Sequence, residues 1–256
     1  TLGASAFTSC SSLVSVTIPD SVETLGASAF TSCSSLVSVT IGNNVTSIGN
    51  EAFRSCESLE SVTIGNNVTS IGEQAFRLCK SLDSVTIPDS VETIKNNAFS
   101  MCDNLKTVTI GNNVKSILYD AFVFCISLES VTIPDSVETL GESAFEKCSA
   151  LKSFTIGNNV TSIPQRCFVS CTSLETCTIG NSVISIGDYA FYSCSAIKYI
   201  EFKTDGFKSI SLGTDVFGGN SNNPGVNTSE LKLSNEETTL KDSITDNKIT
   251  FQTAEG

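Results

Sequence analysis

The chain has 256 residues, 40% of them apolar and only 16% charged, with 27 acids against 15 bases for a net charge of -12. An acidic balance argues against nucleic acid or an anionic membrane surface as partner, since both select clustered Lys and Arg. No apolar run approaches the about 20 residues that a helix needs to cross a bilayer, so no direct membrane insertion is expected.

From the N-terminus, TLGASAFTSCSSLVSVTI at residues 1–18 returns unchanged at 24–41, and related segments recur every 23 residues as far as about residue 202. The period stacks Phe7, Phe30, Phe53, Phe76, Phe99, Phe122, Phe145, Phe168 and Phe191 in one column. It stacks Cys10, Cys33, Cys56, Cys79, Cys102, Cys125, Cys148, Cys171 and Cys194 in another. A fixed period in this range means a solenoid whose coils contact only their neighbours. The chain opens in mid-repeat at Thr1 with no polar cap, which points to a fragment of a longer array or an unusual cap.

Within one unit Leu13, Val16 and Ile18 alternate with Ser15 and Thr17, the period-two pattern of a strand with one buried face. Stacked copies predict a parallel sheet on a concave face. Pro19 or its copy Gly42 then ends the strand, and the Ser or Asn two residues later (Ser21, Asn44) is expected to cap the bend with its side chain. Val22, Leu25, Ala29, Phe30 and Cys33 form a second apolar set. Because Leu25, Ala29 and Cys33 fall at helical spacing, the expectation is an α/β-type solenoid with a short or irregular segment opposite the sheet.

Eleven cysteines would suit a disulfide framework, but nine share one column, so reduced, buried packing is expected. Cys167 and Cys177 replace Ala and Val of the pattern, in keeping with Cys as filler.

One coil departs from the rest. It carries Leu118, Tyr119, Val123, Phe124 and Ile126 where others hold Gly and polar residues, and exposed apolar patches mark contacts. These five residues are the candidate partner-binding surface. A second candidate is the stripe Glu60, Asp83, Lys106, Glu129, Lys152, Glu175 and Lys198 with Tyr199, whose alternating signs predict cross-strand pairs. Tyr189, Tyr192 and Tyr199 cluster near the end of the array. Beside the stripe run two hydroxyl columns, from Ser15 and Thr17 to Thr176 and Thr178, which carry a lesser reading of ice or carbohydrate binding.

The register decays after Ile200 and Phe202: Ile210 and Phe217 arrive one and three residues late. Strand-like ELKL at 230–233 and KITF at 248–251 then suggest a β-rich cap. The expected division is a repeat array at 1–202 and a degenerate last repeat with cap at 203–256. N-x-[ST] occurs at Asn44, Asn67, Asn159 and Asn227. The first three fall in the turn column, where the amide would serve the backbone, so only Asn227 is expected to be accessible.

The pattern L-x-x-V-T-I-P-x-S-V-x-x-L/I-G-x-x-A-F-x-x-C resembles the cysteine-containing leucine-rich repeats of the BspA-like family, found in bacterial and protozoan surface proteins. That resemblance implies adhesion or recognition of an extracellular, host or matrix protein by a rigid surface, and placement at the cell surface or outside it. With no histidine, no phosphate-binding loop and no converging metal ligands, the chain reads as non-enzymatic, without cofactor or metal. The alternative reading is a self-assembling structural scaffold that stacks end to end or laterally.

Overall fold

The computed structural model describes residues 1–203 and 208–219, and the backbone of strands Lys208–Leu212, Lys232–Leu233, Ile244–Thr245 and Lys248–Phe251. Two rows of short parallel strands run the length of the array. The first row starts with Ser15–Ile18 and Ser38–Ile41 and ends with Thr176–Ile179 and Tyr199–Phe202. Its register is set by the repeat: Ser15, Val16, Thr17 and Ile18 lie opposite Ser38, Val39, Thr40 and Ile41. The second row consists of two-residue strands, from Thr24–Leu25 to Ser185–Ile186, paired in the same register except that, among the described residues, no ladder joins Thr139–Leu140 to Ser162–Ile163. A β-turn joins the rows in each coil, closed by bonds such as Val22 N–H to the Pro19 carbonyl at 3.0 Å.

The back of each coil corrects the α/β expectation, because no helix forms among the described residues. Ser28, Phe30 and Ser32 donate their N–H groups to the carbonyls of Asn50, Ala52 and Arg54 in the next coil, at 2.8, 2.7 and 2.8 Å. Only the intervening Thr31 and Cys33 donate backwards, to Ser28 and Phe30. A helix needs every N–H for its own coil; here alternate donors are spent on the neighbour. The path requires left-handed residues, and Ser28 (φ 56°) and Ser32 (φ 60°) recur as such in every complete coil. Each such residue costs about 1–2 kcal/mol, a cost that the inter-coil ladder offsets.

The core lies between the rows and this back segment. Phe53 and Phe76 are fully buried and stack at 5.3 Å with planes 9° apart, as expected from the column. Phe154, standing where most coils have Val, inserts edge-on between Phe145 and Phe168 at 4.9 and 4.4 Å. The cysteines are all free, and those of the column do more than fill space. From Cys33 onward each donates its thiol proton to the Phe carbonyl of the preceding coil; Cys56 reaches Phe30 at 3.1 Å. That carbonyl also accepts the Cys33 N–H, so a buried acceptor has both lone pairs engaged.

The first row is not continuous. Among the described residues no ladder joins Ser61–Thr63 to Ser84–Thr86, and Thr107–Thr109 meets Ser130–Thr132 through the single pair Thr107 and Ser130. These are the two steps at which proline follows glycine after the strand: Gly65 to Pro88, and Gly111 to Pro134. The column leaves no room for side-chain atoms, since a Cβ on Gly65 would fall 2.2 Å from the Gly42 carbonyl oxygen. A proline ring therefore holds its coil away from the one before. Ile64 and Ile110, just before each step, are the most exposed of their column. A cleft of about 680 Å³ opens at the first step, lined by Ser61, Thr63, Ile64, Thr86 and Pro88 among others.

At the C-terminal end Leu212, rather than Ile210, takes the rung above Ile186, and Phe217 stacks on Phe191 at 5.7 Å. Both lie three residues later than the period demands, so one insertion accounts for the change of register. Lys232–Leu233 continues the first row in parallel, whereas Lys248–Phe251 pairs antiparallel with Lys208–Leu212.

Candidate interaction surface

The strand Ser116–Ile117 leads directly into the unusual coil. Gly141 of the next coil sits over the Leu118–Tyr119 peptide, where its own Cβ would come within 2.3 Å of backbone. That close cover fixes the main chain and leaves the Tyr119 side chain outside, 49% exposed. Beyond the Phe122 rung, Ile126 is 44% exposed in a column that holds Asp103 and Ser149 in the adjacent coils. Phe124 occupies a left-handed position (φ 60°), half-buried, with the Lys147 ammonium 4.2 Å from its ring centroid. Leu118 is half-buried. Val123 is a correction: it is buried, as is Val169 in the same column, because that position points between coils rather than to solvent. Among the described residues no ring contact joins Tyr119 to Phe124, so the surface is two apolar shoulders flanking the turn.

Charges gather on one side of it. Arg166 grips Glu146 with two guanidinium nitrogens at 2.9 and 3.0 Å across adjacent coils. The Glu146 side chain is 9% exposed against 45% for Arg166. Asp120 neighbours both Tyr119 and this pair; burial, ahead of the nearby Glu146, raises its carboxyl above the usual range, and the adjacent Tyr119 hydroxyl opposes the rise. The tyrosine is raised in turn, chiefly by the Asp120 charge.

The charged stripe resolves into separate pairs. Lys106 meets Asp83 at 2.6 Å, Lys152 meets Glu129 at 3.1 Å and Lys198 meets Glu175 at 3.1 Å. Exposed pairs of this kind contribute about 0–1 kcal/mol and largely cancel one another's field. Among the described residues Glu60 forms no ion pair, and Tyr199 opens its strand half-buried. The hydroxyl columns hold register from Ser38 to Ser61 and from Ser84 to Thr107, but the break between Thr63 and Ser84 interrupts the array. Tyr192 packs beneath Gly218 and meets Tyr189 edge-on at 5.6 Å, covering the last described coil. Ile184, 60% exposed at the other edge, was not singled out in the sequence; its column reads Thr161 and Glu138 in the preceding coils.

The turn column also departs from expectation. The backbone is capped one residue earlier: Asp20 accepts the Asn43 N–H at 2.7 Å, and Asp89 and Asp135 do the same for Asn112 and Asn158. In the next position Ser90 bends back and donates to the Val68 carbonyl at 2.7 Å, but the longer Asn44, Asn67 and Asn159 are exposed. Asn227 lies outside the described residues.

Among the described residues no group of His, Cys, Asp and Glu converges to hold a metal, and no helix is long and apolar enough to cross a membrane. Stacked parallel strands with inward Leu, Val, Ile and Phe columns define a leucine-rich repeat solenoid, a scaffold for protein interaction. The chain belongs to the family of the BspA type Leucine rich repeat region, which it matches in 6 copies over residues 1–129 and 115–230. A leucine rich cell surface protein from Faecalibacterium prausnitzii is similar in structure, with TM-score 0.50 and 25% identity over 78% of this chain and 76% of that one. A leucine-rich repeat protein from T. pallidum shares the fold at TM-score 0.54, with 24% identity over 72% of this chain and 78% of that one. Comparison with curated proteins gives no match.

Proposed function

We propose that this chain is a non-enzymatic protein-binding module of a surface or secreted protein, and that its contact centres on Tyr119 and Ile126. The exposure of these two large side chains, in a coil whose neighbours place polar groups in the same columns, carries the reading. Tyrosine with arginine nearby is the composition of interface anchors, and Arg166 lies among the groups that act on Asp120 beside Tyr119. Membership of the repeat family and the surface protein of similar structure support the placement. The test is saturable binding of the purified chain to cells and to extracellular matrix, compared with a Tyr119→Ser/Ile126→Ser variant. Both side chains are exposed, so the variant is expected to fold and to lose binding at least tenfold. Unchanged binding removes the patch, and no saturable binding by either form removes the module.

A further inference from the structure

We infer that Asn159, together with one of the pair Asn44 and Asn67, is an acceptor for an N-linked oligosaccharide. This rests on the surface placement proposed above, since the chain must meet an oligosaccharyl transferase on an export route. The sequence supplies Asn-Val-Thr at each position, ending in Thr46, Thr69 and Thr161. An acceptor sequence alone is weak, because a turn that uses its asparagine to cap the backbone has no place for a sugar. Here the capping falls to the residue before, and the amide that matters is free of it: Asn43, not Asn44, accepts the N–H of the next coil at 3.2 Å, and Asn158, not Asn159, accepts that of Asn181 at 3.3 Å. Ser90 in the same column turns inward, whereas the longer Asn44, Asn67 and Asn159 are exposed.

The folded turn is closed by Val45 N–H to the Gly42 carbonyl, and Val45 and Val160 are fully buried. Transfer therefore takes place on the extended chain before its coil closes, and the fold then has to tolerate the product. In the transfer the Asn amide nitrogen attacks the anomeric carbon of a lipid-linked oligosaccharyl diphosphate. The new C–N bond forms as the C–O bond to diphosphate breaks, the amide proton passes to a base of the transferase, and the lipid diphosphate departs.

Asn44 and Asn67 occupy neighbouring coils whose phenylalanines, Phe53 and Phe76, stack at 5.3 Å. A branched oligosaccharide is wider than that, so a chain modified at both sites cannot close these two coils and is not secreted, while Asn159 stands alone because its coil neighbours are Ser136 and Ser182. These turns lie between the two strand rows, whereas Tyr119 and Ile126 lie beyond the second row, so a sugar leaves the proposed contact open.

The experiment is secretion of the full chain from a eukaryotic host, with site occupancy read by peptide mass spectrometry before and after enzymatic release of N-glycans. Expected are sugar on Asn159, sugar on Asn44 or Asn67 but never both in one molecule, and higher Asn67 occupancy in Asn44→Gln. Bare Asn159 in the secreted, folded chain overturns the inference, whether or not Asn227 is modified. Asn44 and Asn67 modified together overturn the exclusion. Partner binding is read separately: sugar present with no binding sinks the proposed function alone, and binding without sugar sinks this inference alone.

Discussion

Phe145 and Phe168 stand 5.9 Å apart, the widest spacing in the phenylalanine column, and the edge of Phe154 fills the gap between them. Each edge-to-face contact contributes about 0.5–1.5 kcal/mol beyond simple burial. Phe154→Val, which restores the residue of Val131 one coil earlier, is therefore expected to cost about 1–3 kcal/mol in urea unfolding even though it returns the sequence to pattern. A gain in stability would show that the ring is a strain rather than a wedge.

The thiol column sets a limit at high pH. Burial pushes Cys56 and Cys125 up to about 12, and Cys79, Cys102 and Cys148 are raised as well. Below about pH 8.5 folded and unfolded chains hold the same thiol protons; above it only the unfolded chain releases them, so stability falls. The expected slope is up to about 1.4 kcal/mol per pH unit for each buried thiol until the folded group titrates. Urea midpoints that stay flat between pH 8 and 10 would contradict it. In the same range the interior thiols should resist alkylation, with half-buried Cys10 reacting first.

The left-handed positions make a sharper test than any core truncation. Ser55 has φ 59°. Ser55→Gly is expected to leave stability unchanged or slightly higher, whereas Ser55→Val should lose about 1–2 kcal/mol, because a β-branched side chain fits that backbone region poorly. Equal effects of the two substitutions would mean that the back segment relaxes to another path.

Removing Arg166 strands the Glu146 carboxylate between coils. Arg166→Ser should cost about 1–2 kcal/mol, a figure reduced for the exposure of the arginine. The double variant Glu146→Val/Arg166→Ser, which copies Val123 and Val169 of the flanking coils and Ser143 of the preceding one, should recover most of it. Additive losses in thermal unfolding would refute the coupling.

Much of this architecture is legible in the residues. Phe53 and Phe76 share a column because the period puts them there, and Ser15, Thr17 and their copies face out because alternation does. The missing helix was hidden because Leu25, Ala29 and Cys33 have the same spacing in both structures; what decides is where the N–H groups of Ser28 and Phe30 go, and that depends on the neighbouring coil. For the same reason Val123 reads as surface but is core. The roles of Asn43 and Asn44 could not be separated from composition, since both are asparagines one bond rotation from either task. Tyr119 and Ile126 stood out because each replaces polar neighbours, a signal that needs only the repeat itself for reference.

The alternation of proline and glycine after the strand has a mechanical consequence. Where Pro88 follows Gly65 and Pro134 follows Gly111, the first row gives up hydrogen bonds that other steps keep. A load drawn along the stack would open the strand face first at these two seams, beginning at the fully unladdered one, while the second row and the back segment still hold the coils together there. The array thus carries two places where its strand face yields first, with Tyr119 and Ile126 on the coil immediately before the second of them.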